Sequence, residues 1–403
     1  MKRYKIEYCR TFQKVMKAGN YVLGYRTPEV IKGPGSVLLL PEEIKKKGLH
    51  HILFVTDEKL IELNLPTPLL QALSEAGIEY TIFSNIKPNP TDKNVEEGYQ
   101  MFHENGCEGI VAFGGGSPID CAKAIGAKNA HPNKSVRDLQ GILKVHKRIV
   151  PFWAIPTTAG TGSETTLAAV ITEEETHHKA SINDPALFPI CAILDPELTV
   201  GLPTFITATT GMDALCHAVE SYTNWTYCTK LEKEYSKKAV KLIHDYLYTA
   251  YEDGTNMDAR LKMQEAAFYA GRSFTRGCVG YVHAIGHTLG GLYNIPHGLA
   301  MSVILPHVLR KFGPAVYKRL EELADACGIE GKSRADKALN FIQWIEDLNE
   351  KMGIPKGFKE IQEEDIPQMI KWADAEANPL YPVPVIWFEE DFRDVIEELR
   401  EDA

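Results

Sequence analysis

Gly109-Ile-Val-Ala-Phe113-Gly114-Gly-Gly-Ser117-Pro118-Ile-Asp120-Cys-Ala-Lys123 is the stretch whose reading decides the fold. An apolar strand, residues 109–113, runs directly into three glycines and then into a helix start. Ser117 suits an N-cap, Pro118 the first helical position and Asp120 a capping-box partner. Bare backbone N–H groups ahead of a helix let a phosphate approach closely, where the helix dipole favours an anion. The competing reading is a tight strand-to-helix turn with no ligand. Three consecutive glycines exceed what such a turn needs, which favours phosphate binding. The spacing is neither G-x-G-x-x-G nor a P-loop, and Gly331-Lys-Ser333 lacks the upstream glycine that a P-loop requires.

Outward from this unit the pattern repeats. Strands read at 29–32, 51–56, 80–83 and 150–155, with helical runs near 41–47 and 94–103. Such alternation implies a mostly parallel sheet covered on both faces. From about Pro203 the strand signals stop and the remainder reads as helices with short loops. The composition shifts near Asp195-Pro196-Glu-Leu-Thr199, which divides the chain into an α/β nucleotide-binding domain, 1–198, and an all-α metal- and substrate-binding domain, 199–403. Residues 1–27 show no clear period and receive no role.

The chain has 403 residues, 44% hydrophobic and 24% charged, with a formal charge of -10. That acidity argues against a nucleic-acid or membrane-surface role, either of which needs a basic face. No apolar run is long enough for a membrane span and no signal-peptide core is visible. Eight scattered cysteines with no C-x-x-C pair read as reduced thiols. A cytoplasmic protein is the expectation.

Chemistry concentrates between Thr209 and His297. Asp213 and His217 stand four residues apart on an apolar helical run, so both leave one face. His283 and His287 repeat that spacing, His297 follows a turn at Asn294 and Pro296, and His307 comes soon after. A carboxylate with up to three neutral imidazoles suits a divalent transition metal. Each pair alone reads as well as an ordinary helix-surface pair or a satisfied core histidine, so the pattern leaves metal binding open.

Two further features sit after strands. Pro156-Thr157-Thr158-Ala-Gly160-Thr161-Gly162-Ser163-Glu164 is a hydroxyl-rich loop that could line a dinucleotide. Asp57 ends the strand at 51–56, where a carboxylate can hold an adenosine ribose and repel a 2′-phosphate. It serves equally as the N-cap of the following helix.

These motifs, in this order, resemble the iron-containing (group III) alcohol dehydrogenases: the glycine run 114–123, the loop 155–164, Gly211-Met-Asp-Ala-Leu-Cys-His217, and His283-Ala-Ile-Gly-His287 with Pro296-His-Gly298. The resemblance runs from about Glu29 to Asn378-Pro379. It implies Asp213, His217, His283 and His297 as metal ligands, Fe(II) or also Zn(II), with His287 beside them; an imidazole there serves as a proton relay or equally as a group that only orients the site. It implies Gly115, Gly116, Ser117, Asp120, Thr157, Thr158 and Thr161 around NAD, with Asn89 and Lys179 near the cofactor and Asp57 as the determinant of NAD over NADP. Phe274, Ala168 and Val170 fall in the substrate pocket. Ala168 and Ala169 stand where bulkier residues often occur, and the segment 379–387 is unusually rich in proline and aromatics, so the substrate does not transfer. The activity implied is reversible, NAD(H)-dependent oxidation of a primary alcohol or diol to the aldehyde. The rivals are a dehydroquinate-synthase-like lyase, which would need Lys and Arg clustered at the metal, and a non-catalytic nucleotide or metal sensor.

Overall fold

The computed structural model describes residues 2–175 and 179–401 and divides into two compact units. One comprises 24–201 with 255–264, and the other comprises 1–23, 202–254 and 265–403.

Among the described residues the first unit holds nine strands: β1 (Glu29–Lys32), β2 (His51–Val55), β3 (Glu79–Phe83), β4 (Gly109–Gly114), β5 (Gly141–Ile142), β6 (Phe152–Pro156), β7 (Ala168–Thr172), β8 (Lys179–Asn183) and β9 (Cys191–Leu194). Six of them form one parallel sheet in the order β1-β9-β6-β4-β2-β3. Side chains alternate across it with the period of two that a pleated strand imposes. Leu53, Val55, Ile110, Ala112 and Ala154 face one core. Ile52, Phe54, Val111, Phe113 and Ile155 face the other. Helices α5 (Asp92–Glu104) and α6 (Gly116–Ala130) cover the first through Val95, Ile119, Ala122 and Ile125, and α7 (Val136–Leu139) adds Val136. Helices α2 (Leu40–Lys46) and α4 (Thr67–Glu75) cover the second through Leu40, Ile44, Leu69 and Leu73. The short α3 (Glu58–Glu62) follows β2. Continuous apolar strands are what burial on both faces requires. The expected mostly parallel sheet is present, together with a small second sheet, β5-β8-β7, whose β7–β8 pairing is antiparallel. Its strands are short and mixed in polarity, so no pattern announces them.

The second unit is helical: α1 (Lys2–Val22), α8 (Thr204–Thr223), α9 (Lys230–Glu252), the body of α10 (Met257–Gly277), α11 (Tyr281–Tyr293), α12 (His297–Phe312), α13 (Tyr317–Cys327), α14 (Arg334–Lys351), α15 (Ile366–Ala377) and α16 (Glu389–Glu401). The assignment of residues 1–23 to the α/β domain is corrected here. Lys2–Val22 form α1, and α1 is tied to the C-terminal segment: Gln13 Nε2 donates to the carbonyls of Pro379 (3.1 Å) and Tyr381 (2.7 Å), and the Arg10 guanidinium donates to those of Val383 and Pro384, each at 2.8 Å. The missing hydrophobic period has a physical cause. Cys9, Gln13 and Asn20 are buried, while Tyr4, Tyr8, Val15 and Tyr21 face outward, so the inner face is the less apolar one. All eight cysteines are free. Among the described residues no helix is long and apolar enough to cross a membrane.

Candidate functional site

In the α/β unit, β2, β4 and β6 are neighbours and run the same way, so the segments that follow them gather at one sheet edge, the carboxyl edge where open α/β sheets bind ligands. The glycine run and the threonine loop are in contact there. The Thr157 N–H donates to the Gly114 carbonyl (3.1 Å). A Cβ on Gly116 would lie 3.1 Å from Thr161 Cγ2, and one on Gly115 would lie 3.4 Å from Thr158 Oγ1. Gly114 takes φ +155 and would place a Cβ 2.6 Å from Pro118. Close packing therefore accounts for the glycines beyond what a turn asks.

The expected cap is corrected. Helix α6 starts at Gly116 with Gly115 as N-cap and no side-chain cap, so Ser117 lies one residue inside it. Ser117 Oγ instead accepts the Asn89 N–H (3.3 Å), at a residue whose φ of 62 puts it in the left-handed region. Lys179 Nζ donates to Asn89 Oδ1 (2.9 Å), which brings Asn89, Ser117 and Lys179 together. Asp120 makes no capping box. Its carboxylate accepts from Ser163 Oγ (2.5 Å) and from the Val170 N–H (3.0 Å), joining α6 to the threonine loop and to β7. The fully buried Lys123 reinforces that joint, donating to the Ser163 and Ala168 carbonyls and to Thr166 Oγ1. Burial lowers its pKa to about 8. Ala168 opens β7, and Val170 is exposed two residues further along. Asp57 is the N-cap of α3, with Oδ1 accepting the Leu60 N–H at 2.9 Å.

In the helical unit, α8 presents Asp213 and His217, α11 presents His283, and His297 opens α12. One donor atom from each of these four lies within 4.8 Å of the others. Asp213 Oδ1 is 3.4 Å from His297 Nε2, 3.9 Å from His217 Nδ1 and 4.0 Å from His283 Nε2. Asp213, His217 and His283 are buried, yet Asp213 Oδ1, His217 Nδ1 and His283 Nε2 have no hydrogen-bond partner. Three orphaned polar atoms facing one point cost on the order of several kcal/mol unless something satisfies them. A divalent cation fits: it takes carboxylate and imidazole donors together and neutralises the buried charge.

The protonation states agree. Burial lowers the His217 pKa to about 3 and that of His283 well below its ordinary value, so both rings are neutral at pH 7 and able to ligate. Burial alone would raise Asp213, but the surrounding histidines outweigh it and hold the carboxyl well below its usual range.

Sequence reasoning missed the residue that orients His283. Glu220 stands two turns after Asp213 on α8, a seven-residue spacing that could have signalled a shared face. Its Oε2 accepts from His283 Nδ1 (2.6 Å) and its Oε1 from the Val282 N–H (2.8 Å). With Nδ1 carrying the proton, Nε2 keeps the lone pair that points at Asp213. Cys216 and Glu220 also lie around His283, but that carboxylate and imidazole already satisfy each other, and burial pushes the Cys216 thiol up and keeps it protonated.

Phe274 stacks on His217 with ring centroids 4.1 Å apart. His287 lies beside the cluster, its ring 5.4 Å from that of His297, and its Nδ1 is 2.8 Å from Glu376 Oε1. His307 is elsewhere, against the Lys356 carbonyl (3.2 Å), ten residues along α12 from His297.

Residues 27–196 match the family model for iron-containing alcohol dehydrogenase, and 207–399 match its C-terminal counterpart. The chain is 39% identical over 348 residues to NAD-dependent methanol dehydrogenase of Bacillus methanolicus, covering 85% of this chain and 91% of that one. It is 38% identical over 361 residues to 1,3-propanediol dehydrogenase of Klebsiella pneumoniae, covering 88% and 93%. Among solved structures, a 1,3-propanediol oxidoreductase superposes with a TM-score of 0.89 at 36% identity, covering 94% of this chain and 99% of that one. Matches this extensive, over a chain that folds as an α/β unit and a helical unit with Asp213 and three histidines converging, make it an oxidoreductase of the iron-containing alcohol dehydrogenase family.

Proposed function

We propose that this chain catalyses the reversible oxidation of a primary alcohol or diol to the aldehyde with NAD(H), and that Asp213, His217, His283 and His297 hold the catalytic iron. The observation that carries the reading is the set of buried, unpartnered donors Asp213 Oδ1, His217 Nδ1 and His283 Nε2. Zn(II) is another ion this donor set accepts. When bound, the metal supplies Lewis-acid polarisation of the substrate oxygen.

The protein's own groups do the rest. NAD, when bound, would supply the hydride acceptor, and in the oxidative direction we assign His287 as the base that takes the proton of the alcohol O–H. Phe274, flat against His217, shapes the substrate pocket and fixes that imidazole's plane. In the α/β unit, Gly115, Gly116, Ser117, Thr157, Thr158 and Thr161 bind the pyrophosphate and nicotinamide through backbone N–H groups and hydroxyls. Asp120 acts there through the joint it makes with Ser163 and Val170. Asn89 and Lys179 complete that face, and Asp57 selects NAD. The fold supports a division of labour in which 24–201 binds the dinucleotide while the helical unit holds metal and substrate. A cytoplasmic homo-oligomer acting on a small alcohol or aldehyde fits the acidic charge and the free thiols.

The test is a panel of primary alcohols, diols and aldehydes with NAD(H) and NADP(H), on protein reconstituted anaerobically with Fe(II) or Zn(II). Turnover of at least one primary alcohol at the NADH absorbance band, lost on chelation, is the expected result. Metal-loaded protein that turns over no member in either direction overturns it.

A further inference from the structure

We propose that Glu376, steadied by Tyr381, is the positioning residue for His287, holding its proton on Nδ1 so that Nε2 faces the substrate as the acceptor. This rests on the reading of His287 as the base. His287 Nδ1 lies 2.8 Å from Glu376 Oε1, and the Tyr381 hydroxyl donates to that same oxygen at 2.9 Å. A carboxylate oxygen only accepts, so the ring nitrogen facing it carries hydrogen and the other keeps its lone pair. When the alcohol O–H breaks, its proton forms the Nε2–H bond and the ring becomes an imidazolium whose charge faces the Glu376 carboxylate. Return of that proton to solvent restores the starting tautomer, so no other co-reactant is needed.

The geometry is anchored from outside the metal ligands. Glu376 lies near the end of α15, and Tyr381 lies in the proline-rich segment that follows. That segment is pinned at several backbone atoms. The Tyr381 N–H donates to the Ala377 carbonyl (2.6 Å), and the Tyr381 carbonyl accepts from Gln13 Nε2 (2.7 Å). The Leu380 carbonyl accepts from the Tyr227 hydroxyl (3.1 Å), and the Pro382 carbonyl accepts from the Trp225 N–H (2.9 Å). The N-terminal helix and the proline-rich tail, neither of which supplies a metal donor, thus acquire a shared purpose: they fix the phenol that fixes the carboxylate.

The experiment is nitrogen NMR on Zn(II)-loaded protein labelled at histidine, with the His287 resonances identified by their loss in His287→Asn. Wild-type protein should show His287 as the Nδ1–H tautomer. Glu376→Gln should keep it, since the amide oxygen can accept both hydrogens, whereas Glu376→Leu should leave a mixture. Tyr381→Phe should weaken the preference while keeping the carboxylate. On Fe(II)-loaded protein, Glu376→Leu should lower kcat by about 10–100-fold with KM and bound metal unchanged, and Glu376→Gln should recover part of the loss. Glu376→Leu should cost nothing further in a His287→Asn background. An Nε2–H tautomer in the wild type, or in Glu376→Gln and Tyr381→Phe should Glu376→Leu fail to fold, overturns the proposal. An equal kcat loss in the His287→Asn background overturns it as well. Wild-type turnover by His287→Asn overturns instead the reading of His287 as base, and Glu376 loses its role with it.

Discussion

Asp213 is the common point of the cluster, its Oδ1 lying 3.4 Å from His297 Nε2, 3.9 Å from His217 Nδ1 and 4.0 Å from His283 Nε2. Replacing Asp213, His217, His283 or His297 with Ala should weaken metal binding by more than the roughly 10–100-fold that losing an outer partner costs. Metal analysis reads this directly, and full occupancy in two of the four variants would remove the assignment. Asp57 offers a second test at this scale. One oxygen of its carboxylate already caps α3, yet the side chain still carries a charge at the end of β2. A 2′-phosphate about 4 Å away would be repelled by roughly 4 kcal/mol at an effective dielectric of 20, and screening by solvent and salt reduces this. NAD should therefore be preferred over NADP by about ten- to a hundredfold. Asp57→Gly should admit NADP while costing only a few tenths of a kcal/mol in capping, because glycine is a tolerated N-cap. Equal use of both cofactors by the wild-type protein, read from initial rates, would reduce Asp57 to a cap.

Elements hold the cluster only if they approach closely, and glycine sets that approach where α12 meets α8. A Cβ on Gly298 would stand 2.6 Å from the Thr209 carbonyl oxygen and 2.9 Å from its carbon, both backbone atoms that cannot turn aside. Gly298→Ala should push the start of α12, and His297 with it, off α8. Overpacking of this kind costs about 1–3 kcal/mol. A lower Tm together with weaker Zn(II) binding is the expected pair of results, and an unchanged Zn(II) titration would show that His297 tolerates the shift. Gly286 is the contrast: its Cβ would meet the end of the Met301 side chain, which can rotate away, so Gly286→Ala should cost less.

Across the molecule, metal binding and folding are linked because the orphaned donors exist together only in the folded helical unit. At a free metal concentration about 100 times Kd, loading should stabilise the protein by about 2.7 kcal/mol. Two units make a single two-state transition the wrong description, so calorimetry should show the shift in the component belonging to the helical unit. Chelator should abolish the shift, and Asp213→Ala should not show it. An equal shift in that variant would place the ion elsewhere.

The sequence by itself determined what depends on local spacing. Continuous apolar strands followed by glycine or hydroxyl turns specify a parallel sheet buried on both faces, because only that burial makes a run such as Ile110–Phe113 favourable. Four-residue spacings put Asp213 with His217 on one helix face and His283 with His287 on another, and the order of motifs carried the family. Residues far apart in the chain were legible only where each belongs to a motif of its own. Tertiary structure decided the remainder. It showed that Asp120 joins α6 to the threonine loop instead of capping its helix, because a partner 43 residues away at Ser163 takes its carboxylate. It moved residues 1–23 into the helical unit, since an inner face of Cys9, Gln13 and Asn20 is chosen by the carbonyls it meets and not by hydrophobic period. It also supplied Glu220 and Glu376, carboxylates that orient histidines 63 and 89 positions away. A hydrogen bond between side chains leaves no trace in sequence pattern until the fold has brought its two ends together.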